Sequence, residues 1–334
     1  MKVLGIETSC DETAVAVVED GTVRSNLIAT QFDLHRRFGG VVPEVASRAH
    51  VEALNPLIEE ALEQAGCGFA DLDGVAVTVG PGLIGALLVG IAGAKAIALA
   101  ARLPLVGVNH LEGHIWANFL EHGPPEPPYI CLVVSGGHTM LVHMQAKHSY
   151  RILGQTLDDA VGEAFDKIAR FLGLGFPGGP ALDAASRQGD PQAIAFPRSM
   201  ADSGDYHFSL SGLKTAVLRH IKAEQEAGRE IDLADLAASF QEAIIDVQVT
   251  KTMRAADELG VGRVLLGGGV VANTRLREAM SEAGAEAGVA VRFPSTALCT
   301  DNGAMIAVAG ASRLLRGERT SLGVSANPAL ELVG

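Results

Sequence analysis

The sequence lacks any cysteine arrangement typical of a disulfide-bonded protein. Its four cysteines form no CxxC pair and are widely spaced: Cys10, Cys67, Cys131 and Cys299. This spacing matches no disulfide framework. The sequence also starts on a strand pattern, without a basic segment followed by an apolar one, so a secretory leader is not expected. Both features predict a reduced, cytoplasmic protein.

An excess of basic residues is also missing, and the formal net charge is −13 at pH 7. Proteins that bind nucleic acid on their own usually present a basic face. No basic run is visible, although folding can assemble such a face from scattered side chains. Candidates are Arg36, Arg37, Arg198, Lys214 and Arg219. The charge therefore argues against autonomous RNA binding without excluding it.

Disorder signals are absent as well, since 48% of the residues are hydrophobic, 19% are charged and no low-complexity tract occurs. The chain of 334 residues is long enough for two ordinary domains. Aromatic residues make up only 4%, whereas there are 39 glycines. Abundant glycine indicates tight turns and places where backbone approaches a ligand closely.

Only one stretch, residues 82–101, has the length and apolar character of a membrane span. Lys95 lies inside it, small residues dominate it, and no second span follows. We therefore predict a helix buried against a sheet and no membrane association.

The chain repeats one pattern twice, which predicts a duplicated α/β fold. Residues 3–7 and 14–18 read as a hairpin, as do residues 129–134 and 139–143. Each hairpin is later followed by an apolar strand, a glycine loop and a helix. The two loops are Gly80-Pro81-Gly82 and Gly267-Gly268-Gly269. We place the first lobe at 1–125 and the second at 126–334, with an insertion at about 150–230 that carries functional loops.

The segment His110-Leu111-Glu112-Gly113-His114 is the sharpest local feature. Residues four apart lie on one face of a helix, so both imidazoles can reach one metal ion. A pair of surface or capping histidines is the alternative. Zinc proteases of the HExxH type need the glutamate directly after the first histidine. Glu112 falls about 200° around the helix from that histidine, so its geometry excludes this protease mechanism.

A third metal ligand has to come from elsewhere, and Asp301 is the best candidate. It lies between a strand-like segment and an apolar helix, where an ordinary helix cap is the competing interpretation. Spacing alone favours the cap. Two histidines and one carboxylate suit Fe(II) or Zn(II) and leave coordination positions open for a substrate.

The turn Ser135-Gly136-Gly137-His138-Thr139 is a candidate anion-binding loop, because glycines let backbone N–H groups approach a ligand without a Cβ in the way. A plain tight hairpin is the alternative. The two further glycine loops each join a strand to a helix, where partial positive charge favours phosphate. Asp11, Asp166 and Asp183 lie near such turns and could hold ribose hydroxyls or be ordinary solvated acids.

Six segments together resemble the bacterial TsaD family, formerly called the O-sialoglycoprotein endopeptidase family, in order along the chain. They are residues 6–13, 110–114, 135–139, 163–167, 208–214 and 299–303. Six motifs in register are far more specific than any one of them. Asn109 departs from many relatives, which carry a further histidine there, but this is not a ligand position.

The resemblance implies an actin-like (ASKHA) fold with a ligand cleft between two related lobes. It implies transfer of threonylcarbamoyl from threonylcarbamoyl-AMP to N6 of the adenosine beside the anticodon, in tRNAs that read codons starting with A. It implies a metal, Fe(II) with Zn(II) as the alternative, held by His110, His114 and Asp301. The implied substrate-binding positions are Val133, Val134, Ser135, Gly136, Gly137, Asp166, Gly179, Asp183 and Asn273.

The resemblance also implies two protein partners, a TsaB-like paralogue and a TsaE-like ATPase. No residue is identified as a general base. Two other classes of function stay open on the residues alone, namely a phosphotransferase on the same fold and a non-catalytic nucleotide-binding scaffold. The first does not explain His110 and His114, and the second predicts that changes at the metal site leave tRNA modification intact.

Overall fold

The computed structural model describes residues 1–332 and divides the chain into two compact units. The first unit is Met1–Pro125 together with the chain from Pro294 onward, and the second is Glu126–Phe293. The first break lies between residues 125 and 126, and the described residues from Pro294 onward belong to the first unit. The lobe boundaries at 1–125 and 126–334 stay a prediction.

Each unit contains one five-stranded sheet. The strands are β1 Lys2–Glu7, β2 Glu12–Glu19, β3 Thr22–Thr30, β4 Gly74–Gly80, β5 Leu105–Asn109, β6 Tyr129–Val134, β7 Thr139–Ala146, β8 Ser149–Gln155, β9 Arg263–Gly267 and β10 Ala290–Arg292. Their spatial orders are β3-β2-β1-β4-β5 and β8-β7-β6-β9-β10. In each sheet three antiparallel strands in sequence are extended by two parallel ones. This equivalence confirms the predicted duplication.

Helices cover the sheets. They are α1 Phe32–Arg36, α2 Pro43–Gln64, α3 Ile84–Ala101, α4 His110–Trp116, α5 Phe119–His122, α6 Val161–Phe171, α7 Gly178–Ser186, α8 Ser211–Glu226, α9 Leu233–Glu258, α10 Thr274–Ala287, α11 Thr296–Cys299 and α12 Gly303–Leu315. In the sequence, residues 44–65 and 233–259 read as two long helical segments, and the structure forms α2 and α9 there. The predicted insertion at 150–230 contains α6, α7 and α8.

Helix α12 packs against β1, β2 and β4 of the first sheet, and two glycines permit this close approach. A Cβ on Gly5 of β1 would collide with the Gly303 carbonyl, and one on Gly303 would collide with the backbone of Val15 and Ala16. Because backbone meets backbone here, the start of α12 has a fixed position over the sheet. That position carries Asp301, just before α12, into the first unit.

Helix α3 is only partly the buried helix that the sequence predicts. One face, including Leu87 and Ile91, packs into the apolar core beneath it. Its other face is apolar but exposed at Ile84, Leu88 and Leu99, and only 33% of its residues are buried. By length and composition it is the one described helix that could cross a membrane, a test that helices packed on a core also pass.

Candidate metal centre and ligand loops

The two histidines of the HxxxH segment lie on α4, whose start is fixed by Asn109. The Asn109 side-chain oxygen accepts the backbone N–H of Leu111 at 2.8 Å, which is the bond expected of a helix N-cap. His110 and His114 follow one turn apart on the same face, both buried. Both imidazoles therefore lie on one face of a helix, as predicted, and Asn109 is the N-cap of that helix.

Asp301 joins the two histidines, because the neighbouring residue takes the capping role. The side chain of Asn302 accepts the N–H of Met305 at 2.9 Å and so caps α12. The Asp301 carboxylate instead lies with Oδ1 at 3.6 Å from His110 Nε2 and 3.2 Å from His114 Nε2. The cap interpretation that spacing favoured is thus wrong for Asp301.

Glu7 holds the ring of His110 through the nitrogen that does not face Asp301. This fully buried carboxylate, at the end of β1, places Oε2 3.1 Å from Nδ1 of His110 and accepts the hydroxyl of Thr78. A carboxylate on one imidazole nitrogen fixes the ring and leaves the other nitrogen for a metal. Nε2, the nitrogen left over, is the one that faces Asp301.

The electrostatics of the cluster favour a positive charge. Burial alone would lower the pKa of His110, but the carboxylates of Asp301 and Glu7 outweigh it and raise the pKa to about 9. Burial, with Asp301 and Asp11 nearby, raises the pKa of Glu12 well above its usual range. Several carboxyl groups therefore surround two imidazoles in a buried cluster. Binding of a proton or of a metal cation there offsets their negative charge.

The residues present fit a single metal ion. One ligand atom from each of His110, His114 and Asp301 lies within 4.8 Å of the others. Among the described residues, no hydrogen bond satisfies either ring nitrogen of the fully buried His114, which is costly unless another partner binds there. Glu112 instead makes a buried ion pair with Arg313 at 2.6 Å, consistent with its exclusion as a protease base.

The Ser135–His138 turn of the second unit has room above its backbone. Ser135 and His138 close the turn with a 2.8 Å hydrogen bond from the Ser135 N–H to the His138 carbonyl. A Cβ added at Gly136 or Gly137 would meet no atom within 4 Å. Both glycines therefore border open space, as a backbone anion site requires.

Contacts connect this turn to the other predicted ligand positions. Gly162, at the start of α6, donates its N–H to Ser135 at 3.2 Å, and Gly268 lies too close to Val134 to tolerate a Cβ. One turn further along α6, Asp166 accepts the N–H of Gly178 at 2.7 Å, next to Gly179. The structure thus gathers these segments at the ends of β6 and β9.

Asp183 and Asn273 are the two remaining predicted ligand positions, on α7 and at the start of α10. Asp183 on α7 is buried and pairs with Arg187 at 3.1 Å, whereas Asn273 caps α10 through a 2.9 Å bond from Leu276. A groove of about 500 Å³ opens beside Asp183, between α7, α9 and α10. All the predicted substrate residues therefore belong to the second unit, and the metal residues belong to the first.

One predicted phosphate loop has a different role. In Gly80-Pro81-Gly82 the N–H of Gly82 donates to the Pro328 carbonyl at 3.2 Å, and a Cβ on Gly80 would collide with Asn327. The next N–H, that of Leu83, donates to Ser9. These groups are already used by the protein's own backbone, so this loop is structural and the expectation of three phosphate loops is corrected.

Comparison with known proteins gives the family. A family model described as "TsaD: tRNA N6-adenosine threonylcarbamoyltransferase" matches residues 22–308. The chain belongs to this family. A protein of Anaeromyxobacter dehalogenans named tRNA N6-adenosine threonylcarbamoyltransferase is 56% identical over 99% of both chains. One of the same name from Desulfitobacterium hafniense is 51% identical over 99% of this chain and 98% of its own.

Solved structures support the fold of this TsaD-family chain. Full-length HypF in its phosphate- and nucleotide-bound form matches 96% of this chain and 47% of its own, with a TM-score of 0.63 at 15% identity. The activator of 2-hydroxyisocaproyl-CoA dehydratase from Clostridium difficile matches 96% and 99%, with a TM-score of 0.55 at 12% identity. The actin-like fold predicted from the sequence is confirmed, and the protein is a tRNA-modifying transferase of the TsaD family.

Sequence reasoning about this TsaD-family chain missed two buried polar residues. Glu7, which holds His110, ends an otherwise apolar strand, and such a charged residue in a buried run was an available signal. Gln241 on α9 hydrogen-bonds Asn273 at 2.6 Å, and nothing in the local pattern of a long helix distinguishes it.

Proposed function

We propose that this chain transfers the threonylcarbamoyl group from threonylcarbamoyl-AMP to N6 of the adenosine beside the anticodon, in tRNAs that read codons starting with A. Family membership, spanning nearly the whole chain, supports the reaction type. The observation that carries the proposal further is the buried cluster of His110, His114 and Asp301, which the alternative of a sugar-kinase-like phosphotransferase does not require.

The donor is held mainly by backbone. The N–H groups of Gly136 and Gly137, in the turn that has open space above it, face the phosphate of the adenylate, and Val133, Val134 and Ser135 support this turn from the end of β6. Asp166, Gly179, Asp183 and Asn273 contact its nucleoside part. This assignment follows the family positions, and the contacts that link these segments support it.

His110, His114 and Asp301 would hold the metal, for which we propose Fe(II), with Zn(II) as the alternative. When bound, the ion supplies Lewis-acid polarisation of the carbamoyl carbonyl or holds the threonyl part. Glu7 keeps the His110 ring in a fixed orientation. The carboxylates of Asp301 and Glu7 would compensate part of the charge of the cation.

The transfer step forms one bond and breaks one. The N6 amine of adenosine attacks the carbamoyl carbon, a nitrogen–carbon bond forms, and the carbon–oxygen bond to phosphate breaks. AMP leaves with the electron pair, and the amine loses a proton. An exocyclic amine is a poor nucleophile, so the pocket contributes mainly by holding the donor in place.

Depletion of the protein tests this function directly. We expect tRNAs that read codons starting with A to lose N6-threonylcarbamoyl-adenosine in depleted cells, as measured by mass analysis of their nucleosides. Restoring the wild-type gene should restore the nucleoside, whereas the His110→Ala, His114→Ala gene should not. An unchanged nucleoside content after depletion contradicts the proposal, and restoration by the double variant supports a scaffold role instead.

The glycine turn should lose its ligand when Gly137 is replaced by valine. The added side chain has space in the fold, so it should intrude on the bound adenylate and weaken an adenylate analogue by roughly tenfold or more. Calorimetry on the folded variant measures this. Gly262→Val, directly before β9 at a glycine with equal space but outside the predicted ligand positions, is the matched control. Equal affinity of Gly137→Val and wild type would make the turn purely structural.

We further propose that the chain works in the cytoplasm with a TsaB-like paralogue and a TsaE-like ATPase. All four cysteines are free, which suits a reducing compartment. The exposed apolar face of α3, with Ile84, Leu88 and Leu99, supplies a surface of the kind that protein partners cover.

A further inference from the structure

Gln241 lies between Asn273 and Asp183, two of the predicted nucleoside contacts. It hydrogen-bonds Asn273 directly and is connected to Asp183 through Ser186. It lies on α9 and is only 4% exposed. Its Oε1 accepts the Asn273 side-chain N–H at 2.6 Å, and its Nε2 donates to the Ser186 hydroxyl at 2.9 Å. Ser186 in turn donates to the backbone carbonyl of Asp183 at 2.9 Å. One amide thus joins the residue that caps α10 to the helix turn that carries Asp183.

Backbone groups fix the direction of every bond in this series. The side-chain oxygen of Asn273 is occupied by the N–H of Leu276, so only its NH₂ group can face Gln241. Gln241 must therefore present its oxygen to Asn273 and its NH₂ group to Ser186, whose own hydrogen goes to the Asp183 carbonyl. A reversed amide would set two donors against each other, so a single arrangement is stable.

The next residue strengthens the same junction. Glu242 makes a two-pronged ion pair with Arg275, two residues after Asn273, with distances of 2.8 and 2.9 Å. The groove of about 500 Å³ opens at this junction and is lined by Asp183, Gln241 and Arg275 among others. Gln241 thus forms part of the floor of a cavity next to residues expected to contact the nucleoside.

We propose that Gln241 is a positioning residue that sets Asn273 and Asp183 for the adenosine part of the adenylate. The proposal rests on the proposed function, because the ligand at this site is the adenylate. Gln241 acts through Asn273, and its bond to Ser186 keeps its own amide in the required orientation. It serves donor binding at a distance from the transferred group, so it should affect binding more than the chemical step.

Gln241→Met tests this, because methionine has a similar length and no hydrogen-bonding groups of comparable strength. Because Asn273 and the turn carrying Asp183 would no longer be held in place, the affinity for AMP and for a non-hydrolysable threonylcarbamoyl-adenylate analogue should fall roughly tenfold or more. KM for the adenylate should rise by a similar factor, with kcat within about threefold of wild type and metal content unchanged.

The matched control is Gln248→Met, two turns further along α9. Gln248 is equally buried, and neither atom of its amide has a hydrogen-bond partner among the described residues. It should bind both probes like wild type. In an Asn273→Ser background, which keeps a capping side chain, Gln241→Met should lower the affinity by clearly less than it does in the wild-type background.

Three results overturn the inference: unchanged affinity in Gln241→Met, a rise in KM equalled by Gln248→Met, or an undiminished effect in the Asn273→Ser background. If Gln241→Met does not fold, Ser186→Ala removes the bond from Gln241 and the bond to the Asp183 carbonyl while leaving Asn273 bonded, and it should weaken binding about threefold. Unchanged affinity in that variant overturns the inference as well. Failure of the wild type to bind either probe would instead contradict the proposed adenylate ligand.

Discussion

The His110→Ala, His114→Ala double variant should lose its bound metal and more than about hundredfold of its transfer activity. Loss of an outer-shell partner typically costs 10- to 100-fold, and here two of three predicted ligands are removed. The fold should persist because Glu7 keeps its hydrogen bonds from Thr78 and from the Ser9 N–H, and α4 keeps its Asn109 cap. Elemental analysis of the purified protein and nucleoside mass analysis of modified tRNA give the two readouts.

Asp301→Asn extends this test, since it keeps the shape of the side chain and removes its charge. It should lower the metal content without creating a cavity. His122→Ala, at an exposed histidine of α5, is the control and should retain both metal and activity. Equal metal content in wild type and the double variant would disprove the assignment, as would full activity of the protein stripped of metal.

The isolated chain should modify tRNA far less efficiently than the chain supplied with its partners, by roughly tenfold or more. Its net charge of −13 repels a polyanion whose binding depends on neutralising phosphates with lysine and arginine. The proposed donor, threonylcarbamoyl-AMP, is a reactive compound, and we propose that another enzyme supplies it. The two described units are the halves of one duplicated fold, so neither is a separate synthase domain.

Reconstitution measures this dependence. Purified chain, adenylate and unmodified tRNA are combined with and without the TsaB-like and TsaE-like proteins, and the nucleosides are analysed by mass. Several rapid turnovers by the chain alone would contradict the prediction. Leu88→Glu on the exposed face of α3 should abolish the stimulation, whereas Leu315→Glu, on a still more exposed apolar residue of α12, should not.

Several features could be predicted from the sequence because they depend on neighbours close in the chain. Alternation and turn residues predicted both hairpins, and the repetition of the pattern predicted a duplicated fold, which the matching sheet orders bear out. Helical periodicity alone places His110 and His114 on one face and turns Glu112 away from them. Gly136 and Gly137 indicated an open turn because a glycine pair requires little more than its own backbone.

Other features were decided only by packing between distant segments. Spacing favoured Asp301 as a helix cap, but Asn302 caps α12. The contact of α12 with β1 at Gly5 and Gly303 brings Asp301 to the histidines. Long-range packing also places the described residues after Pro294 in the first unit. Backbone of a distant segment, at Pro328, accepts the N–H group of the Gly80–Gly82 loop that a phosphate would need. No local pattern encodes such contacts, because each depends on the shape of a surface formed far away in the sequence.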